Sequence, residues 1–353
     1  MSATKILKVD SLAAENEAIM LAAKLLAAGK LVIIPTETVY GIAANALDKR
    51  AVKKLYEIKK RPATKPFTVL IGQKYKAAEL AKDISREANK LMHKFWPGPL
   101  TLILKSPQGG KVGLRMPDDQ IALRIIQEAG VPLVCPSANL SGEPAPADCT
   151  QALKDLNGKV HLAIDAGPSR VGLESTIVDL SEDNLQIVRS GAIKDEEILA
   201  AVKSKTVLFV CTGNSCRSVM AEAYLKKLII QQKRTDIEVA SAGMMALEGM
   251  GPSRETEEVL AQEGINVAHH RAQRVTKELI DQSDIILAME DIHEQRILQF
   301  APEAKNRLFL LKEFAKINDT DLNIADPVGG DTRVYQQVFA TIKDAVERVS
   351  KII

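Results

Sequence analysis

At 353 residues the chain exceeds one average domain, and its 46% hydrophobic and 26% charged residues are those of globular proteins rather than disordered or fibrous ones. A formal net charge of +2, from 47 basic and 45 acidic residues, excludes a global pull toward nucleic acid or membrane, so any anion site must be local. No apolar run approaches the roughly 20 residues of a spanning helix, and the first twenty residues carry no basic stretch followed by an apolar core. Four cysteines are too few for a disulfide framework, so a cytoplasmic protein with free thiols and no membrane partner is expected. CxxC, HExxH and calcium-loop patterns are missing, and the adjacent His269 and His270 point apart on any regular element, so no metal site is expected.

The predicted elements, in chain order, form two series. From residue 31 to 191 the short apolar runs LVIIP, FTVLIG, TLILK, GLRMP, PLVCP, HLAIDAG, STIVDL and LQIVRSG read as strands, with helices between them at DKRAVKKLYEIKK, REANKLMHKF and DQIALRIIQEAG. This predicts an α/β domain with a twisted mixed sheet. The charged helical stretch KDEEILAAVKSK follows. A second series opens with TVLFVC and runs through the helix SVMAEAYLKKLIIQQ, IEVASAG, the helix SRETEEVLAQEG, DIILAM, the helix EDIHEQRILQF, LFLL and a last helix from about Arg333. Strands alternating with helices predict a doubly wound, four-stranded parallel sheet. The expected domains are residues 1–200 and 205–353, with the boundary near 194–204.

In the first series LVIIP runs into TETVYG, and eighteen residues beyond Gly41 comes KKRPATKPF, where Lys59, Lys60, Arg61 and Lys65 form a dense positive cluster. Taken alone, such a cluster fits a solvated helix terminus, where cations meet the negative end of the dipole. Other small or basic residues recur at strand ends: Arg115 in GLRMP, Ser137, Asn139 and Ser141 in CPSANLSG, Ser175 and Thr176 in GLESTIVD, and Arg189 in IVRSG. Together they predict one pocket for a polyanion. No G-x-x-x-x-G-K-[ST] string is present, so a nucleotide would not be held by a Walker loop.

The strings PTETVYG, K-x-R-P…KP, WPGPLT, RMP, PSANLSG, GLESTIVD and R-x-G, in that order over about residues 15–200, resemble the YrdC-type threonylcarbamoyl-AMP synthase family. The resemblance implies condensation of L-threonine, bicarbonate and ATP, with Mg2+ accompanying the nucleotide, to threonylcarbamoyl-AMP and pyrophosphate. That is a step toward threonylcarbamoyladenosine in tRNA, and it implies tRNA or the tRNA threonylcarbamoyl transferase machinery as partners. It also implies that Thr38, Arg115 and Ser175 contact threonine, and that Lys59, Arg61, Lys65, Ser137, Asn139 and Arg189 bind ATP or offset its charge. Adenylyl transfer needs cations on the triphosphate and a pocket dry enough to protect a labile carbamate. Lys60 and Lys65 stand where relatives often carry other residues, and RSG replaces the usual RPG, without loss of a needed charge. Longer family members carry their own C-terminal extension. Here the second series takes its place, which is expected to leave the adenylate pocket more open.

In the second series, VCTGNSCRS puts Cys211 six positions before Arg217, in the loop joining a parallel strand to a helix expected from about Ser218. Ligands of such sheets sit at the carboxyl ends of the strands. Backbone N–H groups of Thr212, Gly213, Asn214, Ser215 and Cys216, with the following helix N-terminus, would cradle a tetrahedral dianion. The same donors and a nearby guanidinium favour a thiolate over a thiol, which makes Cys211 a nucleophile at neutral pH. Arg217 supplies a planar fork for two phosphoryl oxygens. Gly213 and Asn214 suit the left-handed backbone that turns amides inward. Ser218 can donate to the sulfur, and Asp326, in the Gly/Pro-rich ADPVGGD, can protonate the leaving group. A bare C-x5-R string arises by chance in roughly one such chain in five, so the surrounding strand, helix, Gly-Asn and distant Asp-Pro carry the weight.

These residues resemble the low-molecular-weight protein tyrosine phosphatase family over residues 206–350, including SAG at 241–243 and HHRAQRVT at 269–276. The resemblance implies a phosphorylated protein substrate, no cofactor, Cys211 as nucleophile, Arg217 on phosphate, Ser218 assisting the thiolate and Asp326 as acid. Val219 stands where the family usually has proline, and Val328, Gly329 and Gly330 replace the aromatics that follow Asp-Pro in eukaryotic members. Ser215 stands where tyrosine phosphatases carry an aliphatic residue and bacterial arginine phosphatases a threonine, so phosphoarginine competes with phosphotyrosine. Cys216 is open to two readings, a redox partner of Cys211 or a small buried residue. For the whole chain, a bifunctional enzyme is set against an RNA-binding N-terminal module fused to one active phosphatase. The aromatic content of 4% weighs against base stacking.

Overall fold

The computed structural model describes residues 3–9, 12–62, 64–182 and 184–353. The chain divides into two compact units, residues 1–201 and 202–353. Among the described residues, no helix is long and apolar enough to cross a membrane.

The first unit is built on ten strands: β1 (Lys5–Lys8), β2 (Val32–Ile34), β3 (Gly41–Asn45), β4 (Val69–Leu70), β5 (Leu100–Lys105), β6 (Lys111–Arg115), β7 (Leu133–Val134), β8 (Leu162–Asp165), β9 (Thr176–Asp179) and β10 (Gln186–Arg189). They form one sheet in the order β1-β8-β2-β3-β7-β4-β6-β5-β9-β10. It is mixed, with β2 parallel to β8 and antiparallel to β3, and β5 parallel to β9 and antiparallel to β6. Alternation along a strand explains why helices cover both faces. Val32 and Ile34 pack against the helices Leu12–Ala27 and Gln120–Ala129, while Leu31 and Ile33 pack against Lys49–Lys59 and Cys149–Leu156. All eight strands expected from apolar runs are present. β1 and β3 were not expected: KILK is a largely exposed edge, and GIAAN is fully buried with side chains too small to give a period.

The second unit contains β11 (Lys205–Cys211), β12 (Ile237–Gly243), β13 (Ile285–Ala288) and β14 (Leu308–Leu310), all parallel, in the order β12-β11-β13-β14. Val207, Phe209 and Cys211 face the helices Arg217–Gln231 and Thr332–Ile352, whereas Leu208 and Val210 face the opposite layer, which includes Ile280 and Ile297. The expected doubly wound parallel sheet is therefore present. From β11 the chain steps first to β12 on one side and later to β13 on the other. That reversal leaves a crevice beyond the carboxyl ends of β11 and β13, where such sheets hold ligands. The helix after β11 begins at Arg217, one residue earlier than expected, and a short helix, Leu311–Phe314, separates β14 from the Asp326 loop.

Candidate active sites

In the first unit, local chain chemistry delivers the basic cluster. The helix Lys49–Lys59 starts under an Asp48 N-cap, whose side chain accepts from the amides of Arg50 and Ala51, and ends where Lys60 adopts a left-handed φ of 50°. Lys59 falls on the same helix face as the buried Ala51 and Leu55, and it is only 2% exposed. Its Nζ donates to Ser137 O at 2.6 Å and to Asn139 Oδ1 at 3.0 Å, and Ser137 Oγ donates to the same Oδ1 at 2.6 Å. Burial, with Arg61 close by, pushes Lys59 down to about 8, against the opposing pull of Glu174. Arg61 lies over the Phe67 ring at 5.3 Å and donates to the carbonyls of Lys65 and Pro66. Lys65 stays exposed on the rim.

These groups border a cleft of about 410 Å³, which shares Arg61, Ser137 and Glu174 with a smaller inner cavity of about 110 Å³. Arg115, Ser175, Thr101 and Arg189 line the inner cavity. Arg189 reaches it because Gly191 lies against the start of β9, where a Cβ would come within 2.4 Å of Glu174 O. Its guanidinium donates to Ser175 O at 2.8 Å, to Ser175 Oγ at 3.1 Å and to Glu174 Oε1 at 2.7 Å. Ser175 Oγ also meets Thr101 Oγ1 at 2.9 Å. Arg115 donates through Nη2 to Thr38 Oγ1 at 2.8 Å and through Nε to Gly98 O at 3.2 Å. Eight of the nine residues expected around threonine and ATP thus border one cleft and its inner cavity. Thr38, fully buried, does not line it and turns its hydroxyl to Arg115 instead. Sequence reasoning missed Glu174 and Thr101, although both sit inside motifs it used, GLESTIVD and WPGPLT.

In the second unit Cys211 ends β11 and Arg217 opens the next helix, so Thr212 to Cys216 form the turn between them. Asn214 adopts a left-handed φ of 54°, which aims its N–H at Cys211 Sγ, 3.3 Å away. Ser218 Oγ lies 2.9 Å from the same sulfur. Asn214 is fixed by its side chain: Nδ2 donates to Ser218 Oγ at 3.0 Å and Ser241 Oγ at 2.7 Å, and Oδ1 accepts from Gln273 N at 2.9 Å. Gly243, the last residue of SAG, admits the loop, since a Cβ there would sit 2.7 Å from Thr212 O. Arg217 is 1% exposed and reaches past the loop to the β13 and acid-loop segments. Nη1 donates to Glu290 Oε2 at 2.5 Å and Ile324 O at 2.7 Å, and Nη2 donates to Asp326 Oδ2 at 2.5 Å.

His293 completes this site. Its Nδ1 accepts from Glu290 N at 3.2 Å, so Nε2 carries the proton and donates to Thr212 Oγ1 at 2.9 Å. Burial and the Arg217 charge push the imidazole down to about 4, which keeps it neutral. Glu290 and His293 were missed as site residues because EDIHEQRILQF reads only as a helix start. Ser215 is half-buried, and Cys216 Sγ contacts Ser215 Oγ, Ser253 Oγ and Tyr335 OH at 3.4–3.5 Å. Among the described residues no cluster of three or more His, Cys, Asp or Glu side chains could hold a metal.

Both units resemble known proteins. Residues 24–191 match the Sua5/YciO/YrdC family, described as "Telomere recombination", and residues 206–353 match the low molecular weight phosphotyrosine protein phosphatases. A threonylcarbamoyl-AMP synthase of Pyrococcus abyssi is 44% identical over 193 residues, 52% of this chain and 57% of that one, so the chain spans little more than half the length of that relative. A crystal structure of P. abyssi Sua5 complexed with L-threonine aligns at a TM-score of 0.53 and 28% identity, covering 68% of this chain and 92% of that one. A protein-arginine-phosphatase of Geobacillus stearothermophilus is 40% identical over 145 residues, 41% of this chain and 93% of that one. With these motifs in these places, the chain belongs through its first unit to the Sua5/YciO/YrdC family of threonylcarbamoyl-AMP synthases and through its second to the low molecular weight protein phosphatases.

Proposed function

We propose that the chain is a bifunctional enzyme, an L-threonylcarbamoyladenylate synthase joined to a cysteine-dependent protein phosphatase. For the first activity, the supporting observation is the outer cleft with Lys59, Lys65 and Asn139, which shares Arg61 and Ser137 with an inner cavity lined by Arg115, Ser175 and Arg189. Threonine's amine condenses with bicarbonate, losing water, and a carbamate oxygen attacks the α-phosphorus of ATP, expelling pyrophosphate. Lys59, Arg61, Lys65 and Arg189 offset the triphosphate charge, with Ser137 and Asn139 orienting Lys59. Arg115 and Ser175 hold the amino acid, and Thr38 acts through Arg115. Catalysis is then mainly positioning and charge stabilisation. Among the described residues, the carboxylates lining the cleft are Glu143 and Glu174, so Mg2+ would come in on the triphosphate as part of the substrate. The labile product would pass to the machinery that modifies tRNA, and the four free thiols suit a cytoplasmic setting.

For the second activity, the support is Cys211 Sγ held between the Asn214 amide and the Ser218 hydroxyl, with Arg217 at the mouth of the loop. The sulfur attacks phosphorus, Asp326 gives its proton to the departing atom, and a phosphocysteine forms. Water then attacks that phosphorus, Asp326 takes back a proton, and phosphate and the thiolate are released. We favour phosphoarginine over phosphotyrosine. Ser215 offers a hydroxyl beside the nucleophile, the loop after Asp326 lacks an aromatic wall for a phenyl ring, and a 40% identical relative is named for arginine dephosphorylation.

Two assays on the purified chain test this. Pyrophosphate release should require threonine, bicarbonate and ATP, and should vanish in Lys59→Ala/Arg61→Ala; unchanged chemistry with lost RNA retention would instead support the RNA-binding module. Phosphoarginine and phosphotyrosine hydrolysis should both be compared against a Cys211→Ser blank, and no turnover above that blank ends the phosphatase reading.

A further inference from the structure

Glu37 is a buried carboxylate to which the chemistry above gives no task. It is 2% exposed, and neither of its oxygens accepts an aligned hydrogen bond, although Oε1 lies 2.7 Å from Arg115 Nη2 as an ion pair. Burying an ion costs several kcal/mol unless a partner compensates it, so this glutamate depends on Arg115. The dependence runs both ways. Arg115 is 7% exposed, and its Nε and Nη2 are spent on Gly98 O, Thr38 Oγ1 and Glu37. Nη1 donates to no protein group among the described residues, while Arg115 lines the inner cavity. The guanidinium is thus gripped along one edge and free along the other.

The negative charge of Glu37 also spreads beyond Arg115. Asp119, at the N-cap of the helix Gln120–Ala129, is pushed up mainly by burial, with the Ala122 amide opposing and Glu37 adding its repulsion. This end of the cleft therefore carries a compensated arginine. Arg189, which lines the same cavity, is paired with Glu174. The opposite end, around Lys59, Arg61 and Lys65, carries an excess of positive charge, with Glu143 and Glu174 as the carboxylates among its described lining residues. A single carboxylate suits the first end, and a polyphosphate suits the second.

Resting on the synthase reading, we propose that Glu37 is a positioning residue for threonine: it holds Arg115 with Nη1 turned to the cavity to take the substrate carboxylate, and its charge keeps phosphates from that end. Glu37 itself touches no substrate.

Glu37→Gln keeps the shape and removes the charge. Calorimetric titration should show L-threonine binding weakened about tenfold, the size of one impaired charged hydrogen bond, and the KM for threonine should rise to match. The KM for ATP, and kcat at saturating threonine, should stay within about twofold of the unsubstituted enzyme. With Arg115 uncompensated, pyrophosphate should become competitive against threonine, which a merely structural role would not produce. Should the Gln variant fail to fold, Glu37→Asp carries the test, with an intermediate loss of threonine affinity at unchanged ATP affinity. Threonine binding that is insensitive to both substitutions, or ATP and threonine KM values rising together, overturns the proposal alone. Absence of threonine binding to the unsubstituted protein overturns the synthase reading and this proposal with it.

Discussion

Arg217 and Asp326 close on each other over the phosphate loop, Nη2 donating to Oδ2 at 2.5 Å. The arginine assigned to phosphate and the carboxylate assigned to acid catalysis are therefore partners, and an entering phosphoryl group must take Nη2 from Asp326. The carboxylate released in that exchange stands beside the leaving group. Asp326→Asn should lower kcat by about two to four orders of magnitude for esters with poor leaving groups and far less for those with good ones. Binding of inorganic phosphate or vanadate should be unchanged or tighter, because no carboxylate then competes for the guanidinium. Equal losses with good and poor leaving groups would remove Asp326 from the acid role.

Asn214 pays a backbone penalty for aiming its amide at Cys211 Sγ. A left-handed residue other than glycine costs about 1 kcal/mol, here offset by side-chain bonds to Ser218, Ser241 and the Gln273 amide. Asn214→Ala keeps the strain and leaves those buried groups short of partners, so stability should fall by about 2–4 kcal/mol and phosphatase turnover with it. Asn214→Gly relieves the strain but not the lost bonds, and should lie between Ala and Asn in both melting temperature and kcat. An alanine variant as stable and active as the parent would show that the loop holds itself.

Both sheets were legible because their strands are bounded apolar runs, and TVLFVC followed by a polar turn and a helix is readable without knowing any partner. β3 was not, since Gly, Ala and Asn carry too little side chain to reveal which face is buried. The sites divide along the same line. Cys211, Asn214, Arg217 and Ser218 are neighbours in sequence, and their spacing alone suggests a loop around an anion. Glu290 and His293 join them only because β13 lies beside β11, a pairing between distant segments that no local pattern announces. Thr38 shows the converse: its motif pointed to the ligand, but the fold turns its hydroxyl onto Arg115, which leaves the adjacent Glu37 as the unexpected participant.

His293 makes the second unit sensitive to acid. Its imidazole is held neutral, at about 4, mainly by burial and the Arg217 charge, with Glu290 and Asp326 pulling upward and Arg296 downward. In the unfolded chain it titrates near about 6.5. Between those values the unfolded state binds a proton that the folded state refuses, so this stabilising contribution is complete above about 6.5 and is lost as pH falls toward 4. Thermal melts of the phosphatase unit within the full chain should show that loss. In His293→Gln, whose amide can still accept from Glu290 N and donate to Thr212, the slope over this window should be shallower. Identical slopes would place the acid sensitivity elsewhere.

On the proposed synthase reading, Lys59 should set the alkaline limit of the other site. A lysine displaced to about 8 by burial is mostly protonated at neutral pH and loses its charge as pH rises through that value. The contribution proposed for it in holding the triphosphate should fade in the same interval. Since kcat/KM reports the free enzyme, kcat/KM for ATP in the pyrophosphate assay should fall about tenfold per pH unit above the break. The break in kcat should lie higher, because bound phosphates favour the charged amine. Lys59→Met removes the charge at every pH, so its activity should be about two to three orders of magnitude lower and show no such break. Lys59→Arg restores a permanent charge but replaces a point donor, which Ser137 O and Asn139 Oδ1 receive, with a fork too large for that buried position. It should therefore recover only part of the activity while also losing the break. A break near 8 that survives in both variants would show that another group governs ATP binding.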